Sequence, residues 1–127
     1  MTEIEANKAT VRRFVDEVMN ARRTDVIDEL CAGEMAAVAH RWVAPFQASF
    51  SEIAMDVVEL IAEGDKVMGR FACSGTHTGE WRGNPPTGRR FERVDEVYAF
   101  RLEDGRIVEA WGIEDNEERQ RQLGLDG

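Results

Sequence analysis

The amino-acid sequence predicts an α+β fold in which helices come first and antiparallel strands follow. Apolar residues recur at helical spacing as far as residue 50. From residue 53 onward they alternate with polar residues, as in strands that bury one face, and glycine-containing turns separate these strands. This order favours a curved antiparallel sheet of about four main strands wrapped around a long N-terminal helix.

The helical part of the sequence divides into three segments. A long amphipathic helix is predicted from Glu5 to Asn20 and a short one from Asp25 to Leu30. A third helix or helix pair covers Glu34 to Phe50. Pro45 removes one backbone hydrogen bond from this last segment, and we therefore expect a kink or a new start near Trp42.

Four strands follow the helices. The first runs from Ile53 to Glu63 and turns at Glu63-Gly64-Asp65 into the second, from Lys66 to Gly75. A loop rich in glycine and proline then leads to a long hairpin, whose strands meet at the turn Glu103-Asp104-Gly105. The run from Asn116 to Leu123 predicts a short, strongly charged closing helix with a solvated face.

Length and charge limit the classes of partner. The 127 residues fit a single domain that spans residues 1–127. The chain has 25 acidic and 16 basic residues and a net charge of −9. This charge disfavours nucleic acids and anionic membranes, because phosphate binding needs a clustered basic surface.

No stretch of the sequence carries the signature of export, of a metal site or of a cofactor site. The N-terminus lacks the basic region and apolar run of a secretory signal, and no apolar stretch is long enough to span a bilayer. We therefore expect a cytoplasmic protein in which Cys31 and Cys73 stay reduced. With only His40 and His77, no clustered Cys/His spacing and no phosphate-binding loop, the sequence predicts no metal and no cofactor.

The hairpin carries the side chains that point to chemistry. On its first strand, Glu96 and Tyr98 share a face with apolar residues. On its second strand, Trp111, Ile113 and Asp115 follow one another at intervals of two residues and should point to the same side. We expect them to lie opposite that pair. Two carboxyl groups and a phenol in one apolar pocket would raise the pKa of one acid and let it donate a proton.

Three stretches of the sequence resemble a known family. They read G-T-H-T-G-E-W-R-G-N-P-P-T-G-R-R from Gly75, E-D-G-R-I-V-E-A-W from Glu103, and D-N-E-E-R-Q-R-Q-L-G from Asp115. The likeness extends from about Asn7 to Leu125 and is to the SnoaL-like polyketide cyclases, within the nuclear-transport-factor/ketosteroid-isomerase superfamily. It implies a cone-shaped α+β barrel with a small-molecule pocket at its open end.

The resemblance also implies a reaction. Such a cyclase needs no cofactor and closes a ring in a polyketide-like substrate, in an aldol type of step, by acid/base catalysis. In these cyclases an aspartate four residues after the tryptophan of the last strand is the acid/base, a relation that Trp111 and Asp115 reproduce. Glu96 and Tyr98 stand where relatives often carry glutamine and histidine, and they would polarise a carbonyl or activate a hydroxyl.

Each of these polar residues has an alternative structural role. Asp115 can also cap the closing helix, since aspartate is a favoured N-cap residue, and capping does not exclude catalysis. Glu96 can instead pair with an arginine such as Arg70 or Arg93. His77, which the family motif contains, either reaches the pocket or anchors the glycine-rich loop through a hydrogen bond.

Aromatic and apolar side chains are expected to line the pocket. The predicted substrate-binding residues are Phe14, Trp42, Phe46, Phe71, His77, Trp111 and Ile113. Relatives generally carry an additional irregular loop after the second helix, which is shortened here to Cys31-Ala32-Gly33. One wall of the pocket would be reduced as a result.

Other functions are compatible with the same pattern. The acid pair could open an epoxide, with water or with an internal hydroxyl, or act as an isomerase. The domain could also bind ligands or dimerise without catalysis, because a fold does not fix a function. Val97 and Ala99 lie between Arg93 and Arg101 on the outer sheet face, a mixed surface typical of an interface, and we expect a homodimer formed sheet to sheet.

Overall fold

The structure, a computed structural model, describes residues 2–125 and has helices packed against one curved, open antiparallel sheet. The helices are α1 (Glu3–Arg13), α2 (Ile27–Leu30), α3 (Glu34–Ser49) and α4 (Asn116–Leu123). The strands, in sheet order, are β1 (Phe50–Glu63), β2 (Lys66–His77), β3 (Arg90–Glu103) and β4 (Arg106–Glu114). The predicted α+β class and the four antiparallel strands are confirmed.

Helix α1 continues directly into a π-helical segment, Phe14–Asn20. The Oγ1 atom of Thr2 caps the start of α1 by accepting the backbone N–H of Glu5 at 3.1 Å. At the other end, the Asn20 side chain donates to the carbonyl of Met55 at 2.9 Å and accepts its N–H at 2.6 Å. The predicted first helix is therefore present, but its second half has the wider π geometry and is joined to β1.

Helix α3 runs continuously from Glu34 to Ser49, and no new helix starts near Trp42. Pro45 lies inside it and cannot donate to the carbonyl of Arg41, four residues earlier. Because Arg41 is exposed, water can satisfy that carbonyl. The helix is held by the packing of buried residues such as Val43 rather than by an unbroken hydrogen-bond ladder.

The short connection between α2 and α3 is fixed against β4. The backbone N–H of Ala32 donates to the carbonyl of Ile107 at 2.9 Å. The Nη2 atom of Arg106 donates to the carbonyls of Asp28 and Cys31 at 2.8 and 2.7 Å. Cys31 and Cys73 are free and buried, as predicted.

Strand β4 contains a β-bulge that decides which of its side chains face inward. Leu102 of β3 pairs with Ile107, whereas Arg101 pairs with Glu109, and Val108 is therefore an extra residue on β4. An extra residue reverses the alternation of side chains beyond it. After the bulge the inner face carries Ala110, Gly112 and Glu114, and the outer face carries Trp111 and Ile113.

The core lies between the helices and the inner face of the sheet. Val11 of α1, Val18 of the π-helical segment and Ala39 of α3 are fully buried there. Within residues 2–125, no helix is both long and apolar enough to cross a membrane.

Candidate functional site

A cavity of about 500 Å³ lies between the helices and the inner face of the sheet. Its wall is mostly aromatic and aliphatic, and it includes Phe14, Met19, Trp42, Phe46, Phe71 and Phe100. Four charged side chains also reach it: Glu80, Arg82, Glu96 and Glu114. The cavity wall thus includes four of the residues predicted to line the pocket: Phe14, Trp42, Phe46 and Phe71. Their contact with a substrate stays a prediction.

Glu96 lies in the cavity wall and is only 2% exposed. The hydroxyl of Tyr98 donates to its Oε1 atom at 3.0 Å, and Nη2 of Arg119 donates to its Oε2 atom at 2.5 Å. Strand β3 brings Glu96 and Tyr98 together because residues two apart on a strand share a face. The predicted carboxyl–phenol pair is therefore present on the inner face.

Arg119 is the residue of this site that sequence patterns did not reveal. It is fully buried, although helix α4 has the charged sequence of a solvated helix. Its Nη1 atom donates to Oε1 of Glu114 at 3.0 Å and to the side-chain oxygen of Asn116. Its guanidinium also stacks over the ring of Phe91, with Cζ 4.6 Å from the centroid. The only hint was its spacing from Leu123, four residues on, which is the other residue of α4 with a buried side chain.

Glu96 and Glu114 are direct cross-strand partners in the β3–β4 register. Like charges in such positions repel each other, and Arg119 bridges the two carboxyl groups. Glu96 therefore does pair with an arginine, but the partner is Arg119, not the suggested Arg70 or Arg93. The Glu114 side chain keeps 21% of its surface exposed and can be reached from the cavity.

The acid–base properties of Glu96 and Tyr98 follow from burial. Burial raises the pKa of Glu96 from 4.5 to about 7, and the charge of Glu114 acts in the same direction. Arg119 and the Tyr98 hydroxyl oppose this rise by stabilising the carboxylate. Burial, together with the Glu96 carboxylate, also raises the pKa of Tyr98, and its hydroxyl stays protonated at neutral pH.

The prediction that Asp115 shares the inner face with Glu96 is wrong. Asp115 is exposed, is not among the residues that line the cavity, and caps α4 by accepting the backbone N–H of Glu118 at 3.1 Å. The physical reason is the bulge at Val108, which exchanges the two faces of β4 beyond it. Glu114 occupies the inward position that the simple alternation gave to Asp115.

The same bulge makes the predicted inward orientation of two further residues, Trp111 and Ile113, wrong. Trp111 and Ile113 are 59% and 60% exposed and lie on the outer face of the sheet, opposite Ala99 and Val97. Neither side chain lines the main cavity. Trp111 instead borders a small cleft of about 140 Å³ between α3 and the edge strand β4, together with Trp42 and Glu114.

His77 is fully buried but does not line the cavity. Its Nδ1 atom accepts the backbone N–H of Thr87 at 3.1 Å and lies 3.0 Å from the Thr87 hydroxyl. The backbone of His77 also pairs with Gly88 and Arg89. Its predicted place in the pocket is wrong, and the alternative, an anchor for the glycine-rich loop, matches these contacts.

A tight turn from Trp81 to Asn84 contributes Trp81 and Arg82 to the cavity wall. The backbone groups of Trp81 and Asn84 pair in both directions, at 3.0 and 2.9 Å. Arg82 and Gly83 have φ angles of +51° and +80°, as in a type I′ turn. Ser49 fixes the turn to the end of α3 by donating to the carbonyl of Glu80 at 2.5 Å.

The site therefore combines an apolar cavity with a chain of polar groups, Tyr98–Glu96–Arg119–Glu114. One carboxyl group with a pKa near 7 and a second that the cavity can reach suit the donation and acceptance of protons at neutral pH. Among residues 2–125, no three His, Cys, Asp or Glu side chains are grouped as metal binding would require.

Comparison with known proteins agrees with this architecture. A model of the SnoaL-like polyketide cyclase family matches residues 9–123. The aklanonic acid methyl ester cyclase DnrD of Streptomyces peucetius is 32% identical over 109 residues, covering 85% of this chain and 72% of DnrD. The aklanonic acid methyl ester cyclase AcmA of Streptomyces galilaeus is 30% identical over 132 residues, covering 91% of this chain and 89% of AcmA.

Among solved structures, wild-type IdmH from Streptomyces antibioticus superposes with a TM-score of 0.78 at 28% identity. The match covers 93% of this chain and 98% of IdmH. The family match extends over most of the chain and includes every element that builds the cavity. The chain therefore belongs to the SnoaL-like polyketide cyclase family.

Proposed function

We propose that this protein is a cyclase that closes a ring in a polyketide-like substrate by moving protons between carbon and oxygen. The observation that carries the proposal is the hydrogen-bonded chain Tyr98–Glu96–Arg119–Glu114 along an apolar cavity of about 500 Å³. The named activity of DnrD and AcmA supports the same class of reaction.

The first step is removal of a proton from a carbon next to a carbonyl. Glu114 is the base in this proposal, because its carboxylate borders the cavity and Arg119 holds it in place at 3.0 Å. The enolate that forms attacks a second carbonyl carbon of the same substrate. A new carbon–carbon bond results, and the negative charge moves to the oxygen of the attacked carbonyl.

The second step is protonation of that oxygen. When Glu96 is protonated on Oε1, it becomes the donor in its 3.0 Å hydrogen bond with Tyr98. The Tyr98 hydroxyl is then free to direct its own proton into the cavity, towards the developing oxyanion. Glu96 can supply this proton near pH 7 because burial raises its pKa to about 7.

The proton balance of this scheme closes without an oxidant or a reductant. Glu114 gains one proton from carbon, Glu96 gives one to oxygen through Tyr98, and the product is an isomer of the substrate. The two carboxyl groups restore their protonation through solvent before the next turnover. In this scheme Glu114 takes the role that the sequence suggested for Asp115.

The experiment is a turnover assay with aklanonic acid methyl ester, the compound in the names of DnrD and AcmA. Glu114→Gln should lower kcat by about 10²-fold or more, as expected for loss of a general base. Tyr98→Phe should lower kcat by about 10²-fold, as for loss of one oxyanion donor. Glu109→Gln, on exposed strand surface, is the matched control and should keep wild-type activity.

Two results would overturn the proposal. Wild-type turnover by Glu114→Gln would remove the assigned base. Tight binding of the ester by the wild-type protein, measured by calorimetry, without formation of an isomer would favour a ligand-binding function instead.

We also propose that a second copy of the chain covers the outer face of the sheet. Ile61, Met68, Ala99 and Trp111 form one apolar row across all four strands, and Ile61, Met68 and Trp111 are 65%, 49% and 59% exposed. Such a row is a large apolar area to leave in water. The charged pair Glu59 and Arg70 lies beside it, so two copies related by a twofold axis could exchange charge contacts.

A further inference from the structure

Tyr98 lies between two glycines on the inner face of the sheet. The register pairs it with Gly69 on β2 and with Gly112 on β4. A Cβ atom at Gly112 would lie 1.9 Å from Cδ1 and 2.1 Å from Cε1 of Tyr98. A Cβ atom at Gly69 would meet Phe71 and Leu60 instead. The Tyr98 ring therefore occupies the space above Gly112, whereas Phe71 and Leu60 come nearest to the space above Gly69.

The backbone gives no separate reason for glycine at this position. The φ angles of Gly64, Gly83 and Gly105 are positive, but Gly112 does not have a positive φ. An alanine would therefore fit the local backbone of β4. The close approach of the Tyr98 ring is what excludes a side chain here.

The position of the ring matters for its hydroxyl. Tyr98 and Glu96 are two residues apart on one strand, where side chains stand about 6 to 7 Å from each other at their bases. In the structure the hydroxyl meets Oε1 of Glu96 at 3.0 Å while the Cδ1 and Cε1 atoms of the ring lie over Gly112. A methyl group at position 112 would lift the ring from this position.

We infer that Gly112 is a positioning residue of the site: its missing side chain is the space in which the Tyr98 ring lies while the hydroxyl meets Glu96. This inference rests on the proposed function only for the role given to the Tyr98–Glu96 pair. The bulge at Val108 contributes to this arrangement, because it sets the register that places Gly112 opposite Tyr98.

The test is titration of the Glu96 carboxyl by carbon-detected NMR in wild type, Tyr98→Phe, Gly112→Ala and the double variant. The Tyr98 hydrogen bond lowers the pKa of Glu96, and Tyr98→Phe should therefore raise that pKa by about one. Gly112→Ala should raise it in the same direction. In the Tyr98→Phe background, Gly112→Ala should produce no further rise, because the hydroxyl is already gone.

Either of two titration results would overturn the inference. One is a wild-type pKa of Glu96 in folded Gly112→Ala. The other is an equal rise from Gly112→Ala in the wild-type and Tyr98→Phe backgrounds. Gly64→Ala is the control: this turn glycine between β1 and β2 has a φ of +61°, so an alanine should lower the melting temperature, and an added Cβ there touches nothing within 4 Å and should leave the Glu96 titration in place.

A second measurement applies if Gly112→Ala does not fold. Tyr98→Ala removes the ring atoms that would collide, and Gly112→Ala should then lower the melting temperature less than it does in the wild-type background. An equal loss in both backgrounds contradicts the inference. None of these readouts uses turnover. A protein that cyclises nothing but shows the coupled titration would therefore refute the proposed function and retain the role of Gly112.

Discussion

The two faces of the β3–β4 hairpin differ in whether their unusual residues, buried acids on one face and exposed apolar side chains on the other, have a partner within the chain. The inner face buries two acids, Glu96 and Glu114, and a buried arginine bridges them. The outer face exposes Trp111 and Ile113, and nothing within the described chain covers them. Buried charge is tolerated where a partner of opposite charge is present in the same chain, whereas exposed apolar surface points to a partner outside it.

The largest expected effect comes from removing the cation of the inner face. Arg119→Met should lower the free energy of unfolding at pH 8 by about 3 to 5 kcal/mol, because it leaves two facing carboxylates without their bridge. Chemical denaturation measures this loss. Arg121→Met, on the exposed side of the same helix, should stay within about 0.5 kcal/mol of wild type. Equal stability of the two variants would contradict a role for Arg119 in balancing the inner face.

The pH dependence of stability should report the buried acid itself. The pKa of Glu96 is about 7 in the folded state and near 4.5 in the unfolded chain, so the folded protein holds a proton that the unfolded chain has lost. This contribution is fully present below pH 4.5 and is lost as the pH rises through 7. The free energy of unfolding should fall by up to about 3 kcal/mol across this window.

Glu96→Gln isolates this contribution. The amide does not titrate, and the difference between wild type and variant in urea denaturation at pH 5 and pH 8 gives the effect of one carboxyl group. Glu109→Gln, in which an exposed outer acid is neutralised, should keep the wild-type slope. If the free energy of unfolding of Glu96→Gln changes between pH 5 and pH 8 as much as that of the wild type, Glu96 is ionised throughout the range.

A charge introduced on the outer face should weaken the association of two copies and leave the fold unchanged. Sedimentation should show a wild-type dimer at micromolar concentration. Trp111→Glu should weaken association by about 2 kcal/mol or more, as for a central interface residue. Ile4→Glu changes an exposed apolar residue of α1 and should leave the dimer intact. A wild-type protein that sediments only as a monomer would exclude the outer face as an interface between copies.

The smallest effect is expected at Asp115, which lies between the two faces at the start of α4. Asp115→Ala should cost about 1 kcal/mol of stability, the usual loss for an N-cap, while Asp115→Asn should cost only a few tenths. Neither change should alter the titration of Glu96. Loss of turnover in Asp115→Asn at unchanged stability would return the catalytic role to Asp115.

The two strands of the hairpin also show what sequence patterns can predict. Strand β3 alternates without interruption from Val94 to Leu102, and its inward residues, including Glu96 and Tyr98, were predicted correctly. In strand β4 the odd-numbered residues Ile107, Trp111 and Ile113 are apolar, although Glu109 interrupts the series. Its bulge, however, lies at Val108, an ordinary strand residue that carries no glycine or proline signal. The faces of β4 were therefore assigned from an alternation that the extra residue reverses.

Arg119 escaped prediction for a different reason. Arginine is almost never fully buried unless it is paired, and its partners Glu96 and Glu114 lie on other elements. A single sequence does not show which distant acids converge on one helix face. The cavity wall was more predictable, because Phe14, Trp42 and Phe46 lie on the apolar faces of helices whose periodicity is plain.

The bulge in β4 also has a consequence for how this family is compared. The face of β4 on which a residue beyond Val108 lies is given by its partner on β3. It is not given by counting residues from Trp111. A chain without this extra residue could align with the present one from Trp111 onward and yet present the opposite set of side chains to the cavity. In this chain the inward position after Gly112 belongs to Glu114 and not to Asp115, so the distance in sequence from Trp111 does not by itself say which acid reaches the cavity.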